Sequence, residues 1–164
     1  MRRALGLLAV LLPLLAGAVA VGDQAPEFRL KDLEGRERSL SDLREGGAIV
    51  LDFGSVYCAS CQEVLRRLEA LRREQKPGGP RVAVVNVDPP WAEKVIQSVM
   101  KGLRAGYPVV RDLDGTTADA YGVKQIPHLV AVDAEGIIRA VHEGLPANLE
   151  QALQLDALGA PERK

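Results

Sequence analysis

The stretch AIVLDFGSVYCASC, residues 48–61, decides the fold of this chain. Its first six residues are apolar except for Asp52, which is typical of a strand that is buried on both faces of a sheet. After Cys61, leucines and valines recur at helical spacing as far as the turn sequence at 77–80, so an amphipathic helix is predicted to begin near Cys58. The strand and the helix therefore meet at a Cys-x-x-Cys pair.

The rest of the chain predicts strands and helices in alternation. Short extended pieces at 28–30 and 37–40 flank a turn and indicate a hairpin. Beyond residue 80 the patterns predict, in order, a strand at 81–87, a helix from 88 to 103 that is stopped at Gly106, a strand at 107–111, a short helix at 114–121, a hairpin of 129–133 with 137–142, and a closing helix at 146–158. Trp91 is expected to pack within the first of these helices. This order predicts an α/β fold with a mixed central sheet and helices on both faces.

The first twenty residues differ in character from those that follow. Two arginines precede an almost wholly apolar run from Leu5 to Leu15 and then Ala18-Val19-Ala20, which is the pattern of a signal peptide with its cleavage site. The run is shorter than the roughly 20 apolar residues of a membrane-spanning helix. We therefore expect residues 1–20 to be a signal peptide, residues 21–164 to form one domain, and the protein to be periplasmic or otherwise exported. A retained segment that acts as an anchor is the alternative, and only then would the chain contact the membrane.

Composition and charge argue against several classes of function. The formal net charge is −1 and aromatic residues make up 4% of the chain, which gives no support to nucleic-acid binding. A zinc site needs four ligands, and His128 and His142 are the only soft ligands besides the two cysteines. A disulfide across three positions closes too short a loop to stabilise a fold much. The cysteine pair therefore indicates reactivity, with no metal or other cofactor.

The two cysteines have different predicted roles. At the start of a helix, unpaired backbone N–H groups and the helix dipole favour a thiolate at Cys58, and the thiolate is the nucleophile in disulfide exchange. Cys61 lies one turn further along and on the same side. It can attack a mixed disulfide formed at Cys58 and release the product. Cys58 is therefore the predicted attacking sulfur and Cys61 the resolving one.

Asp52 is the polar residue of the apolar strand. Burial without a partner is costly for a carboxylate and raises its pKa. Such a group behind the cysteines could accept the proton that Cys61 loses when it attacks. The alternative interpretation is an aspartate at a strand end that faces a loop or water.

Pro127 opens the apolar strand at 129–132. Proline is tolerated at the first position of a strand although it donates no ladder hydrogen bond. If its bond to Ile126 were cis, the Ile126 backbone could turn towards the cysteines and pair with a substrate strand. His128 is expected on the opposite face, as a structural or surface histidine.

The opening of the chain contains GDQAPEF at 22–28, DLEG at 32–35 and SLSDL at 39–43. These segments resemble the redoxin proteins, which include the peroxiredoxins and the exported TlpA/ResA-like oxidoreductases. Residues 50–61 resemble the thioredoxin active-site block. The short segments at 88–89, 107–112, 121–123 and 126–127 follow in the TlpA/ResA-like order, and residues 89–113 resemble the helix–strand insertion of that group. The resemblance covers essentially all of residues 21–164.

The resemblance implies a thioredoxin fold with an N-terminal hairpin, a cis Pro127 that faces the cysteines, and Cys58 as the nucleophile. Asp52 falls where thioredoxins carry a buried aspartate and where TlpA/ResA-like proteins more often have asparagine. Tyr57 replaces the usual tryptophan before the first cysteine, and it is expected, with Ile126, to contact substrate. The dipeptide at 59–60, Ala-Ser, lacks the usual proline. Because this dipeptide influences the redox potential, the direction of electron flow stays open.

Together these observations predict an exported thiol–disulfide oxidoreductase that acts on protein thiols, as a reductant, and is itself reduced by a membrane electron-donor protein. One alternative is a peroxiredoxin-like peroxidase, which would want a Pro-x-x-x-Thr-x-x-Cys block, whereas this chain has Leu51 and Ser55 at the Pro and Thr positions. Another is a Cu(I)-binding module that uses the two thiolates.

Overall fold

The computed structural model describes residues 19–75 and 77–158. Residues 1–18 of the expected signal peptide lie outside this part, so the signal peptide, its cleavage and the domain boundary stay predictions. Within the described ranges no helix has both the length and the apolarity to cross a membrane.

Strands and helices alternate along the described chain as the sequence predicts. The strands are β1 Arg29–Asp32, β2 Glu37–Ser39, β3 Ile49–Gly54, β4 Arg81–Asn86, β5 Val109–Arg111, β6 His128–Val132 and β7 Ile138–Glu143. The helices are α1 Leu40–Arg44, α2 Ala59–Glu74, α3 Glu93–Leu103, α4 Thr116–Ala120, α5 Leu149–Leu153 and α6 Leu155–Leu158, and a 3-10 turn at Pro90–Ala92 precedes α3.

Two predicted helices differ from the structure, each for a local reason. The helix expected from residue 88 is a 3-10 turn followed by α3. Its end at Leu103 is as predicted, and there Arg104 adopts a left-handed conformation and its N–H bonds back to α3. The closing helix starts at Leu149, where Asn148 caps it, and not at residue 146. It is then broken in two because Gln154 is also left-handed.

The seven strands form one mixed sheet in the order β2-β1-β5-β4-β3-β6-β7. Strands β3, β4 and β5 are parallel to one another, whereas β6 runs antiparallel to β3 and β1 antiparallel to β5. The carboxyl ends of β3 and β4 and the start of β6 therefore lie at the same edge of the sheet. The loop that carries the cysteines leaves β3 at this edge.

Two apolar layers cover the sheet, one on each face. On one face α2, α3, α5 and α6 pack on the side chains that include Val50, Val84 and Leu129. On the other face α1 and Tyr121 pack on the side chains that include Leu51 and Phe53. Because side chains alternate along a strand, Asp52 belongs to the same face as Val50, which is the face that α2 covers.

Candidate active site

Cys58 and Cys61 are joined by a disulfide whose Cα atoms are 5.2 Å apart. Cys58 is the N-cap of α2 and is half-buried, whereas Cys61 lies inside the first turn with 1% of its surface exposed. A partner molecule can therefore reach Cys58 but not Cys61. This difference fits an attacking sulfur followed by a resolving one.

Hydrogen-bond donors surround the sulfur of Cys58. The backbone N–H of Cys61 donates to Cys58 Sγ over 3.2 Å, as an N-cap contact. The hydroxyl of Ser60 lies 3.2 Å from the same sulfur. Donors in these places, together with the positive end of the helix dipole, favour a thiolate once the disulfide is reduced.

Asp52 is fully buried, and neither carboxyl oxygen has a hydrogen-bond partner in the described part of the chain. Burial raises the pKa of this carboxyl from 3.8 to about 7. The interpretation of Asp52 as a strand-end residue facing a loop or water is therefore wrong. With this pKa the Asp52 carboxyl can take up and release a proton near neutral pH, as a group that accepts a proton from a thiol must do.

A small cavity lies beside Asp52 and Cys61. Both residues line it, its volume is about 10 Å³, and this is near the space that one water molecule needs. Gly54 lies between them, because a Cβ atom added there would be 3.5 Å from Cys61 Cβ and 3.6 Å from Asp52 Oδ1. The missing side chain of Gly54 thus leaves a space between Asp52 and Cys61, here called the passage.

A buried network around Asp88 fixes the loop between β3 and α2. The Asp88 carboxylate accepts hydrogen bonds from the Ser55 hydroxyl, from the Val56 N–H over 2.9 Å and from the Asn86 amide over 2.7 Å. The backbone carbonyl of Ser55 in turn accepts a 3.3 Å hydrogen bond from the Cys58 N–H. The network therefore joins the end of β4 to the position of Cys58.

Sequence reasoning missed Gly54, Asn86 and Asp88. The signal was available for Asn86 and Asp88, since polar residues at or just after the end of an apolar strand stand at the carboxyl edge of a parallel sheet. Gly54 offered no such signal, because its contribution is the space that it leaves empty.

Tyr57 and Trp91 lie together at the surface. Their exposed fractions are 53% and 73%, and their ring centroids are 5.8 Å apart. The prediction that Trp91 packs within its helix is wrong. The 3-10 turn buries Ala92 instead and leaves the indole outside, in contact with the residue before Cys58.

The bond between Ile126 and Pro127 is cis, as the resemblance implies. Pro127 is buried and accepts a 2.8 Å hydrogen bond from the Gly144 N–H. Since His128 pairs with Phe53, Pro127 stands at the edge of the sheet from which the cysteine loop leaves. Contact of Ile126 with substrate stays a prediction.

His128 is a structural histidine. It is 2% exposed and packs edge-on against Phe53 with ring centroids 6.0 Å apart, on the face of the sheet away from Asp52. Burial lowers its pKa, so the ring is held neutral. It takes no part in the cysteine site.

A wide depression lies at the opposite edge of the sheet. Its volume is about 840 Å³, and it is lined by the residues before β3, β4 and β5, including Gly47, Pro80 and Pro108. The ligand-binding edge of a parallel sheet is the carboxyl edge, and the cysteines are there.

In the described ranges no three His, Cys, Asp or Glu side chains come close enough to hold a metal ion.

Similar proteins point to the same chemistry. The AhpC/TSA family model matches residues 21–141. The thiol-disulfide oxidoreductase ResA of Halalkalibacterium halodurans is 33% identical over 123 residues, which cover 75% of this chain and 68% of the relative. The thioredoxin-like protein YneN of Bacillus subtilis is 31% identical over 137 residues, which cover 82% of this chain and 79% of the relative.

Solved structures share the fold. A crystal structure from Chlorobium tepidum, described as a thiol:disulfide interchange protein DsbE, matches with a TM-score of 0.76 at 28% identity and covers 87% of this chain and 100% of its own. The peroxidoxin BcpB of Mycobacterium tuberculosis matches with a TM-score of 0.72 at 23% identity, over 85% of this chain and 98% of its own, which shows the fold alone. The chain therefore belongs to the AhpC/TSA family and is an oxidoreductase with the thioredoxin fold that its sequence resembles.

Proposed function

We propose that this protein is an exported reductant of protein disulfides that uses Cys58 and Cys61 as its dithiol. The observation that carries the proposal is the unequal exposure of the two sulfurs at the start of α2, with a buried carboxyl behind the inner one. The aspartate at this position, shared with thioredoxins, supports the reducing direction.

The reaction proceeds in two exchanges. The thiolate of Cys58 attacks one sulfur of a target disulfide, so that a mixed disulfide forms and the other target sulfur leaves as a thiolate. Cys61 then passes its proton to the ionised Asp52 through the cavity and attacks Cys58 Sγ. The Cys58–Cys61 disulfide forms, the second target thiolate leaves, and two electrons have moved from the protein to its target. A membrane dithiol protein on the exported side restores the reduced pair.

Insulin reduction tests the proposal. The reduced protein should reduce insulin disulfides, and a double substitution of Cys58 and Cys61 by serine should abolish the activity. Cys61→Ser alone should accumulate a mixed disulfide through Cys58. Cys58→Ser alone should form none, since its remaining sulfur is buried. Activity that survives the double substitution would exclude the proposal.

The reduction potential tests the direction of electron flow. Equilibration with glutathione should give a reduction potential of about −270 mV, which is that of a thioredoxin-like reductant. A value of about −120 mV would make the protein an oxidant.

Peroxide consumption that depends on Cys58 but not on Cys61 would favour the peroxidase, and stoichiometric Cu(I) retention without insulin reduction would favour the metal-binding module.

Export is tested by the N-terminus of the protein isolated from cells. Cleavage after Ala20 leaves Val21 as the first residue. An intact Met1 on protein that fractionates with membranes would instead support the retained anchor.

A further inference from the structure

Tyr57 and Trp91 form an exposed aromatic surface beside the reactive cysteine, here called the aromatic rim. Six large hydrophobic side chains are exposed in the described part of the chain, and these two are the aromatic ones among them. The two ring planes make an angle of 47°, so the rings are tilted towards each other and not stacked flat. Burial of aromatic surface of this size is a large source of binding energy at protein interfaces.

Polar contacts hold the two backbone segments that carry the rim. The guanidinium of Arg111 donates to the carbonyls of Asp88 and Pro89, over 3.0 and 2.9 Å, which fixes the turn that carries Trp91. The N–H of Tyr57 donates to the Ser55 hydroxyl over 3.1 Å, and that hydroxyl is bonded to the Asp88 carboxylate. The backbone segments that carry both rings are therefore held from Asp88. A preorganised surface loses little conformational entropy when a partner covers it.

The position of the rim indicates what covers it. Disulfide exchange requires a target sulfur to approach Cys58 Sγ, so the polypeptide that carries this sulfur must lie over the surface around Cys58. Tyr57 is bonded directly to Cys58, and Trp91 extends the same surface outward. The rim is thus continuous with the contact that the reaction itself demands.

We propose that the aromatic rim binds an apolar side chain next to the target cysteine in an extended segment of the substrate protein. This inference rests on the proposed function and adds a preference to it. A leucine beside the target cysteine would be covered by both rings, whereas a serine would gain little there. Trp91 is then a specificity-determining residue supplied by the insertion, 33 positions beyond Cys58 in sequence.

Two disulfide-linked peptides that differ in one residue test the preference. One carries leucine beside its cysteine and the other serine, and hydroxyethyl disulfide serves as a substrate too small to reach the rim. Trp91→Ala should lower kcat/KM for the leucine peptide by about 5- to 30-fold, the range expected for one or two lost apolar contacts. It should change the serine peptide and hydroxyethyl disulfide by less than about twofold.

Two further variants serve as controls. Trp91→Phe keeps an aromatic ring and should retain most of the preference for leucine. Val21→Ala removes another exposed apolar side chain, near Ile138 at the far edge of the sheet, and should change nothing. The reduction potential of Trp91→Ala should equal that of the unsubstituted protein, because the indole contacts neither sulfur in the reaction.

Trp91 is the single tryptophan of the chain, so its fluorescence reports on the rim directly. When the leucine peptide is trapped on Cys58 of a Cys61→Ser protein, the emission should shift to shorter wavelength, and the serine peptide should leave it unshifted. A shift produced by raising the protein concentration or by adding anionic vesicles, with none from the peptide, would assign the rim to a second copy or to a lipid surface and overturn the proposal.

The kinetic outcomes separate the two hypotheses. If the unsubstituted protein reduces both peptides equally well, or if Trp91→Ala slows all three substrates alike, the rim has no substrate preference and the inference is wrong while the proposed function stands. If the unsubstituted protein reduces none of the three disulfides, the proposed function is wrong and the inference fails with it.

Discussion

Replacing Asp52 by asparagine should remove a large part of the pH dependence of stability in this protein. The carboxyl is fully buried, neither of its oxygens has a partner among the described residues, and burial raises its pKa from 3.8 to about 7. Asparagine has nearly the same shape and does not titrate. The comparison therefore isolates the cost of ionising a buried carboxyl.

The magnitude follows from the pKa difference. Below pH 3.8 the carboxyl of Asp52 is protonated in both the folded and the unfolded state, so it does not make the free energy of unfolding depend on pH. Between pH 3.8 and about 7 the unfolded state releases this proton while the folded state keeps it, so the free energy of unfolding falls as the pH rises. Above pH 7 both states are ionised and the loss is complete. About three pKa units at about 1.4 kcal/mol each give a loss of about 4 kcal/mol.

Urea unfolding followed by circular dichroism measures this loss. Both proteins are compared in the oxidised form at several pH values from 4 to 8. With a denaturant slope of about 2 kcal/mol per molar urea, the unfolding midpoint of Asp52→Asn should rise relative to the unsubstituted protein by about 2 M over this range. Asp119→Asn, at an exposed aspartate, is the matched control and should show no such rise.

Parallel stability curves for the two proteins from pH 4 to pH 8 would refute this reasoning. Such a result would mean that the Asp52 carboxylate is well solvated in the folded protein. It could not then hold a proton at neutral pH, and its role as the proton acceptor for Cys61 would fall as well.

Two other substitutions test the surroundings of the cysteines. Gly54→Ala places a methyl group at ordinary contact distance from Asp52 and Cys61, so the protein should fold. Because the passage is then filled, resolution of the mixed disulfide should slow by about tenfold and the pH profile of this step should shift upward. An unchanged pH profile would show that the passage is not used. Asp88→Ala leaves the Val56 N–H and the Asn86 amide without their acceptor. It should therefore lower the free energy of unfolding, measured in urea, by about 3 kcal/mol. It should also alter the alkylation rate of reduced Cys58. Asp114→Ala, at an exposed aspartate, is its control, and equal effects of the two would contradict a special role for Asp88.

Local patterns predicted most of the secondary structure because each element carries its own periodicity. The apolar runs at β3 and β4 read as buried strands, and the spacing of leucines and valines after Cys61 reads as α2. The break in the closing helix was not predicted, because Gln154 takes a left-handed conformation there. Glutamine at such a position gives no warning, since glycine is the usual residue there.

The apolar pattern before α3 misled the prediction for Trp91 in a different way. An apolar residue next to a helix fits the core by its pattern, but the pattern carries no information about the depth at which a particular turn places it. Because the 3-10 turn directs Ala92 inward, the indole is left outside beside Tyr57.

What the sequence alone determined is the reactive pair: two sulfurs three positions apart, at the junction of a strand and a helix, which short-range geometry brings within bonding distance. Only the tertiary structure decided what surrounds them. Asp88 and Trp91 lie about 30 positions beyond the cysteines, and they reach the same loop because β3 and β4 are adjacent parallel strands whose carboxyl ends meet at one edge. The depth of Asp52 and the passage beside Gly54 likewise depend on how α2 packs across the sheet. Covalent spacing is written in the chain, whereas burial and empty space arise only when distant elements pack together.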